Sequence, residues 1–246
     1  MINSDCFPDT VKDLEDEDLR SVLHADSIVE VEIPVRGLLI KESVVVSNCE
    51  SSHVEAQTSN ISHFCTGTFN YPIFIHERNT NRMLTCRLSD VLVYSGKLML
   101  NDFRSFDQSW IDRECERVQP KLPLYAITLM QKQKIRANVF DLSQNGMCLL
   151  IVKNGVIRKD SLFGKLIQIS VTLPGQSVGC KIKGKVVQSR SISNNLLRVG
   201  VETSPTKKDA KLIAHYLSER KREILDDLFI NFMQLMNYRE AKDQYF

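Results

Sequence analysis

Apolar residues recur along this chain first at helical spacing, then at strand spacing, then at helical spacing again. Near the start, Val11, Leu14, Leu19, Val22 and Leu23 form a roughly helical stripe behind Thr10, a candidate N-cap with Asp13 at the third helical position. The acidic run at 13–18 falls in the early turns, where negative charge complements the helix dipole, and it reads as a solvated face. From residue 28 the period falls to two. Runs at 28–35, 37–46, 54–61, 65–75, 82–88 and 91–100, with turn residues at 79–81 and 95–96, predict short antiparallel strands. Residues 101–112 show no clean period and read as the end of a first domain and a linker. A second β-set is predicted at 124–130, 135–141, 147–152, 166–173, 181–188 and 196–202, with Pro174–Gly175 and Asn194–Asn195 as hairpin turns.

After Pro205 the helical period returns, running from Leu212 and Ile213 through Tyr216, Leu217, Ile224 and Leu228 to Phe232 and Met236. This stripe suits a helix packed on its own barrel, or alternatively a homodimer or partner interface. The fold class expected is mainly β: two small antiparallel barrels, an N-terminal helix and a long C-terminal helix.

Composition narrows the chemistry. At 246 residues, 43% hydrophobic and 25% charged, the chain is long enough for two domains with ordinary cores. A net charge of +2 gives no global field for nucleic acid or membrane, so any bound anion must be held by a local cluster. The longest apolar stretches, such as 147–152, fall far short of a membrane span, and no secretory leader pattern opens the sequence. The seven cysteines are scattered, form no C-x-x-C pair and do not group with the histidines. Reduced thiols in a cytoplasmic protein, with no metal and no disulfide framework, are the expectation. His53, His63 and His76 sit in β-rich or loop segments, and no Gly-rich phosphate loop or Ser/Cys–His–Asp spacing accompanies them, so an enzyme is not expected. The basic strand residues Lys132, Lys134 and Arg136 lack interleaved aromatics, which disfavours single-stranded nucleic acid.

Two local patterns carry the functional signal. Arg113-Glu-Cys-Glu-Arg117 places two arginines four positions apart, and Asp141-Leu-Ser143-Gln-Asn-Gly146 closes a predicted strand. Neither is specific alone: Arg78 and Arg82 repeat the first spacing, and Asn145–Gly146 is a hairpin turn whatever its ligand. Their order is far more telling. Val118-Gln-Pro-Lys-Leu-Pro123-Leu124 leads from the arginine pair into a strand, Asp-x-Ser-x-x-Gly follows at the end of the next, and Leu197-Arg-Val-Gly200-Val-Glu202 stands near the end of the β-set.

This order resembles the PilZ domain over about 111–205, and the β-rich half before it resembles YcgR-like architecture. The domains implied are a split-barrel-like N-terminal barrel over 1–110, a PilZ barrel with its arginine linker over 111–205, and an amphipathic helix over 206–246. The resemblance implies a non-catalytic receptor for cyclic di-GMP, with no cofactor, whose ligand residues are Arg113, Arg117, Asp141, Ser143 and Gly146. It also implies a nucleotide-driven change in domain arrangement and a protein partner such as the flagellar motor, in control of motility, biofilm or virulence. Asp112 departs from the family, which often has arginine or a bulky apolar residue there; it is a switch position for affinity and stoichiometry. The acids around Arg113 leave a second reading open, a PilZ interaction module that no longer binds the nucleotide.

Overall fold

The structure, a computed structural model, describes residues 12–13, 19, 23–50, 53–67, 71–76, 83–106, 115–130, 133–153, 162–176 and 178–243. It contains two compact units: Met1–Val35, Leu39–Arg113 and Ile224–Phe246 form one, and Arg36–Leu38 with Glu114–Glu223 the other. A single helix of three or more turns is described, α1 (Lys207–Asp243), and its residues are divided between the units at Glu223.

The strands of the first unit are β1 (Lys12–Asp13), β2 (Ile28–Val35), β3 (Leu38–Cys49), β4 (Val54–Gln57), β5 (Tyr71–His76), β6 (Met83–Leu92) and β7 (Lys97–Phe106). They pair in the order β1-β7-β4-β3-β2-β5-β6, and the β6–β7 pairing closes strands β2 to β7 into a six-strand antiparallel barrel. Alternate residues such as Val31, Ile33, Val44, Ile73, Ile75, Leu84 and Leu98 fill it and are at most 1% exposed. Burying each such side chain contributes about 1.5–3 kcal/mol before conformational entropy is subtracted.

Three expectations change here. The helix expected from Thr10 does not include Lys12 and Asp13, which pair as a strand with Ser105 and Arg104. Ladder pairing outweighs the local capping signal at that point. A helical hydrogen bond appears only later, where the Leu23 amide donates to the Leu19 carbonyl at 2.8 Å; the other positions of the expected helix lie outside the described residues.

Residues 101–106, expected as linker, continue β7. Their period is hidden by a bulge: Thr85 pairs with Arg104 but Arg87 with Asn101, and Asp102 takes a left-handed φ of 53°. The run expected over 91–100 is broken, because Val91 and Leu92 end β6 and the turn at Gly96 separates them from β7. Gly96 is required there. Its φ is +66°, and a Cβ would stand 2.8 Å from the Thr58 carbonyl oxygen.

The second unit holds β8 (Arg117–Val118), β9 (Leu124–Met130), β10 (Gln133–Ser143), β11 (Gly146–Val152), β12 (Leu166–Val171), β13 (Cys180–Ser193) and β14 (Leu196–Ser204). The order is β11-β14-β13-β12-β9-β10-β8, and β10–β11 pairing closes a second six-strand antiparallel barrel with β8 added outside on β10. Pro174–Gly175 and Asn194–Asn195 both lie in turns between successive strands, as their chemistry predicts.

Thr206 caps α1. Its hydroxyl accepts the Asp209 amide at 3.2 Å and donates to the Asp209 carboxylate at 2.7 Å. Leu212, Ile213, Tyr216 and Leu217 then lie against this barrel's core. The later helical residues belong to the first unit, where Asn231 donates to the Cys65 carbonyl at 3.0 Å and Ile224 and Leu228 are buried. The described cysteines are free thiols. Among the described residues no helix is long and apolar enough to cross a membrane.

Candidate ligand site

The site is built where β10 leaves the barrel wall. Along most of β10 the side chains alternate regularly, with Ile135, Ala137 and Val139 inward. A bulge at Phe140 then shifts the register, so that Val139 faces Leu149 but Asp141 faces Cys148. After the bulge Leu142 takes the core position, while Asp141 and Ser143, two apart, share the other face. That face is nonetheless buried, with Asp141 6% and Ser143 2% exposed.

The short strand β8 pairs edge to edge with this end of β10, Arg117 with Ser143 and Val118 with Leu142, so the arginine side chain shares the face of Asp141 and Ser143. Arg117 Nη1 lies 3.5 Å from Asp141 Oδ1. On the other side Arg198, from β14, places Nη2 3.8 Å from Asp141 Oδ2. Charge-assisted N–H···O contacts close to about 2.7–2.9 Å when fully formed. Arg117 thus makes a long hydrogen bond to the carboxylate and Arg198 a longer ion pair, and the roughly four lone-pair sites of a carboxylate leave acceptor capacity for another donor.

Gly146 has an ordinary backbone conformation; its φ is not among the positive ones. Its need for glycine is steric. A Cβ there would come within 3.2 Å of Ser143 Oγ, 3.4 Å of the Val201 carbonyl oxygen and 3.9 Å of Arg117 Nη2. Ser143 Oγ in turn donates to the Gly146 carbonyl at 3.2 Å, tying the two ends of the Gln144–Asn145 turn. Asn145 anchors this turn from outside, its carbonyl accepting the Thr203 amide at 2.9 Å and its side-chain amide donating to Cys115 Sγ at 3.5 Å.

Of the residues singled out from the sequence, Arg117, Asp141, Ser143 and Gly146 thus lie together. Asp112 and Arg113 lie outside the described residues, as do Arg78 and Arg82. Glu116, one of the acids beside the arginine pair, is ion-paired with Lys221 of α1 at 2.6 Å. Beside Arg117 opens a cleft of about 440 Å³, lined by Cys115, Glu116, Val118, Gln144, Leu217 and Lys221.

Arg198 is not among the residues that the two sequence patterns single out. Its guanidinium also stacks 4.7 Å from the Phe140 ring centroid, and its Nε donates to Cys148 Sγ at 3.2 Å. Burial first, then the neighbouring Asp141 charge, pushes the Cys148 thiol up to about 11 against the opposing effect of Arg198. The sequence carried a signal for Arg198. It lies on the outward period of β14 two residues before Gly200, within the stretch already quoted for its order.

Residues 111–219 match the family model of the PilZ domain. No curated protein matches the chain. Among solved structures, the chain is similar to YcgR of Escherichia coli in complex with c-di-GMP, at 13% identity and a TM-score of 0.39 over 100% of both chains. It is also similar to the Bacillus subtilis inhibitor of motility MotI/DgrA, at 12% identity and a TM-score of 0.38, covering 82% of this chain and 99% of that one. A third similarity is to the MrkH–c-di-GMP complex of K. pneumonia, at 14% identity and a TM-score of 0.41, covering 87% and 99%.

Proposed function

We propose, from the match of residues 111–219 to the PilZ domain model, that the chain is a cyclic di-GMP receptor. The observation that carries this reading is the loosely held Asp141 carboxylate under Arg117, with Ser143 and Gly146 beside it. A guanine offers N1–H and N2–H to a carboxylate, and O6 and N7 to an arginine. Asp141 takes the first pair and Arg117 the second pair or a phosphate, where its planar fork bonds bidentately. Ser143 adds a hydroxyl contact and Gly146 leaves space for the base. Arg113 supplies the second guanidinium for the other phosphate or the other guanine.

The receptor works in this reading as a switch without chemistry of its own. Closing the 113–117 segment over the nucleotide changes the arrangement of the two units and so alters what a protein partner meets. Control of motility through the flagellar motor, in the cytoplasm, is the output suggested by the resemblance to YcgR-like proteins and stands as fold-level analogy.

The second reading, a PilZ module that has lost the nucleotide, draws on Asp112, Glu114 and Glu116 around the arginine pair. The Glu116–Lys221 ion pair weakens that reading, because it offsets one of the three acids. Isothermal titration of the full chain with cyclic di-GMP tests the proposal, with small-angle scattering of the same samples for the rearrangement. Saturable heat that Asp141→Ala removes is expected; absence of heat in the parent chain selects the second reading.

A further inference from the structure

The outer face of the second barrel shows a pattern that folding alone does not call for. On β9 the inward positions are Leu124, Ala126, Thr128 and Met130, and the outward ones are Tyr125, Ile127 and Leu129. Those outward side chains are 48%, 52% and 47% exposed, while Thr128 is fully buried and its hydroxyl has no hydrogen-bond partner among the described residues. A one-residue slip would exchange the two faces of the strand. As built, a polar group is buried at a cost and two branched aliphatics face water.

β10 on one side of β9, and β13 beyond the uncharged β12 on the other, are basic. Arg136 of β10 pairs across to Ile127, which pairs with Ser170 of β12, which pairs with Lys181 of β13. The next row runs Lys134, Leu129, Gln168, Lys183. Four exposed cations, Lys134, Arg136, Lys181 and Lys183, thus border the apolar ridge on its two sides, whereas Lys185 lies across from Glu202 of β14. No acid stands on β9, β12 or β13, and that of β10 is Asp141 at its far end. A groove of about 690 Å³ lies along the ridge, lined by Tyr125, Ile127, Arg136, Val178 and Lys181 among others. Arg136 is stacked 3.9 Å from the Tyr125 ring centroid, which fixes its plane and leaves its N–H edge free to meet a carboxylate.

From this we infer that the β10–β9–β12–β13 face docks an acidic amphipathic helix of a partner protein. The dimensions agree. Three strand steps separate β10 from β13, about 14 Å, close to the roughly 10–12 Å diameter of a helix with its side chains. An apolar stripe of such a helix covers Tyr125, Ile127 and Leu129, and carboxylates flanking the stripe reach Lys134 and Arg136 on one side and Lys181 and Lys183 on the other. Nucleic acid fits less well, since the middle of the face is aliphatic rather than a stacking platform. An anionic membrane fits less well too, since the aliphatics lie in mid-sheet and not at a protruding tip. The inference does not depend on nucleotide binding.

The test uses the full chain and a fluorescein-labelled 18-residue peptide of Ala, Leu and Glu, with leucines on one helical stripe and glutamates flanking it. Fluorescence polarisation is expected to show saturable binding, lost when the peptide leucines are replaced by serine. Ile127→Ser and Lys183→Glu are each expected to weaken it at least tenfold while leaving the cyclic di-GMP titration unchanged. Should Ile127→Ser fail to fold, Lys134→Glu takes its place. The inference is overturned if the peptide does not bind, if the serine peptide binds equally, or if neither charge reversal matters. Preference for duplex DNA or phosphatidylglycerol vesicles over the peptide also overturns it.

Discussion

Among the described residues each of the two barrels buries one carboxylate beside two basic groups, and the two arrangements differ in the chemistry of their partners. In the first, Glu32 is 1% exposed, with Oε1 2.8 Å from Lys41 Nζ and 3.2 Å from His76 Nε2. In the second, Asp141 has its two guanidiniums at 3.5 and 3.8 Å. The first acid faces a mostly exposed ammonium, and the contact with Glu32 holds Lys41 above its ordinary pKa, yet neither Glu32 oxygen has a well-formed hydrogen bond among the described residues. The second stands between two guanidiniums, one of them hydrogen-bonded to it at 3.5 Å. An ammonium is a point charge that can only balance the acid, whereas planar guanidinium forks can also bond a nucleotide bidentately. In the proposed reading the two barrels put a buried acid to different uses.

The largest effect that sharpens this contrast belongs to Arg117. Arg117→Ala should raise the dissociation constant for cyclic di-GMP about 30- to 150-fold, equivalent to about 2–3 kcal/mol, with little change in thermal midpoint, because the side chain is about a third exposed. Titration with a melting curve on the same sample reads both. The mirror experiment in the first barrel is Lys41→Met. It leaves Glu32 undercompensated and should cost about 1–3 kcal/mol in denaturant unfolding without moving nucleotide affinity. A loss of affinity in Lys41→Met, or of stability alone in Arg117→Ala, would erase the distinction.

Gly146→Ala comes next. The added Cβ presses on Ser143 Oγ and nears the Arg117 guanidinium, so affinity should fall about tenfold, or about 1.4 kcal/mol. Arg198→Ala removes the more distant guanidinium, the stacking on Phe140 and the bond to Cys148, and a several-fold weakening is expected by titration.

The smallest effect is in alkaline solution. The raised Lys41 pKa means its contribution to stability is fully present below the unfolded lysine value, roughly 10.4, and is lost as pH rises through the folded value. Lys41 is mostly exposed, so solvent screening keeps the loss small. A stability-versus-pH curve that steepens above about pH 10 in the parent chain and flattens in Lys41→Met displays it.

Much of this was legible in the sequence, and the limits were physical. Strand β9 was read to the residue, because Leu124–Met130 is bounded by Pro123 on one side and polar residues on the other. The sequence pattern of β7 stops short of the strand's end because the bulge near Asp102 breaks the period on which a strand is recognised. The strand at Lys12–Asp13 was invisible, since two residues have no period at all and only their pairing with Ser105 and Arg104 defines them. The Asp141–Ser143 face followed from strand alternation. The placement of Arg117 over Ser143 did not, since a two-residue strand docked outside a barrel leaves no pattern. Arg198 lies 57 residues beyond Asp141 in the chain, and only the β11–β14 pairing brings it near.

Asp112 precedes Arg113 in the sequence; in the proposed reading, exchanging it for arginine removes a negative charge next to the arginine pair and should strengthen binding several-fold at low salt, with the gain shrinking as ionic strength rises. Titration of Asp112→Arg beside the parent chain measures it.

The central claim is that a carboxylate under a stand-off arginine, on the rim of the second barrel, holds a guanine nucleotide. A crystal structure of the chain grown with cyclic di-GMP tests it most directly. The account predicts a guanine edge on Asp141 with Arg117 on a phosphate or on the base, and Ser143 and Gly146 in contact. An empty rim with both arginines turned to solvent, or the nucleotide bound elsewhere on the chain, would contradict it.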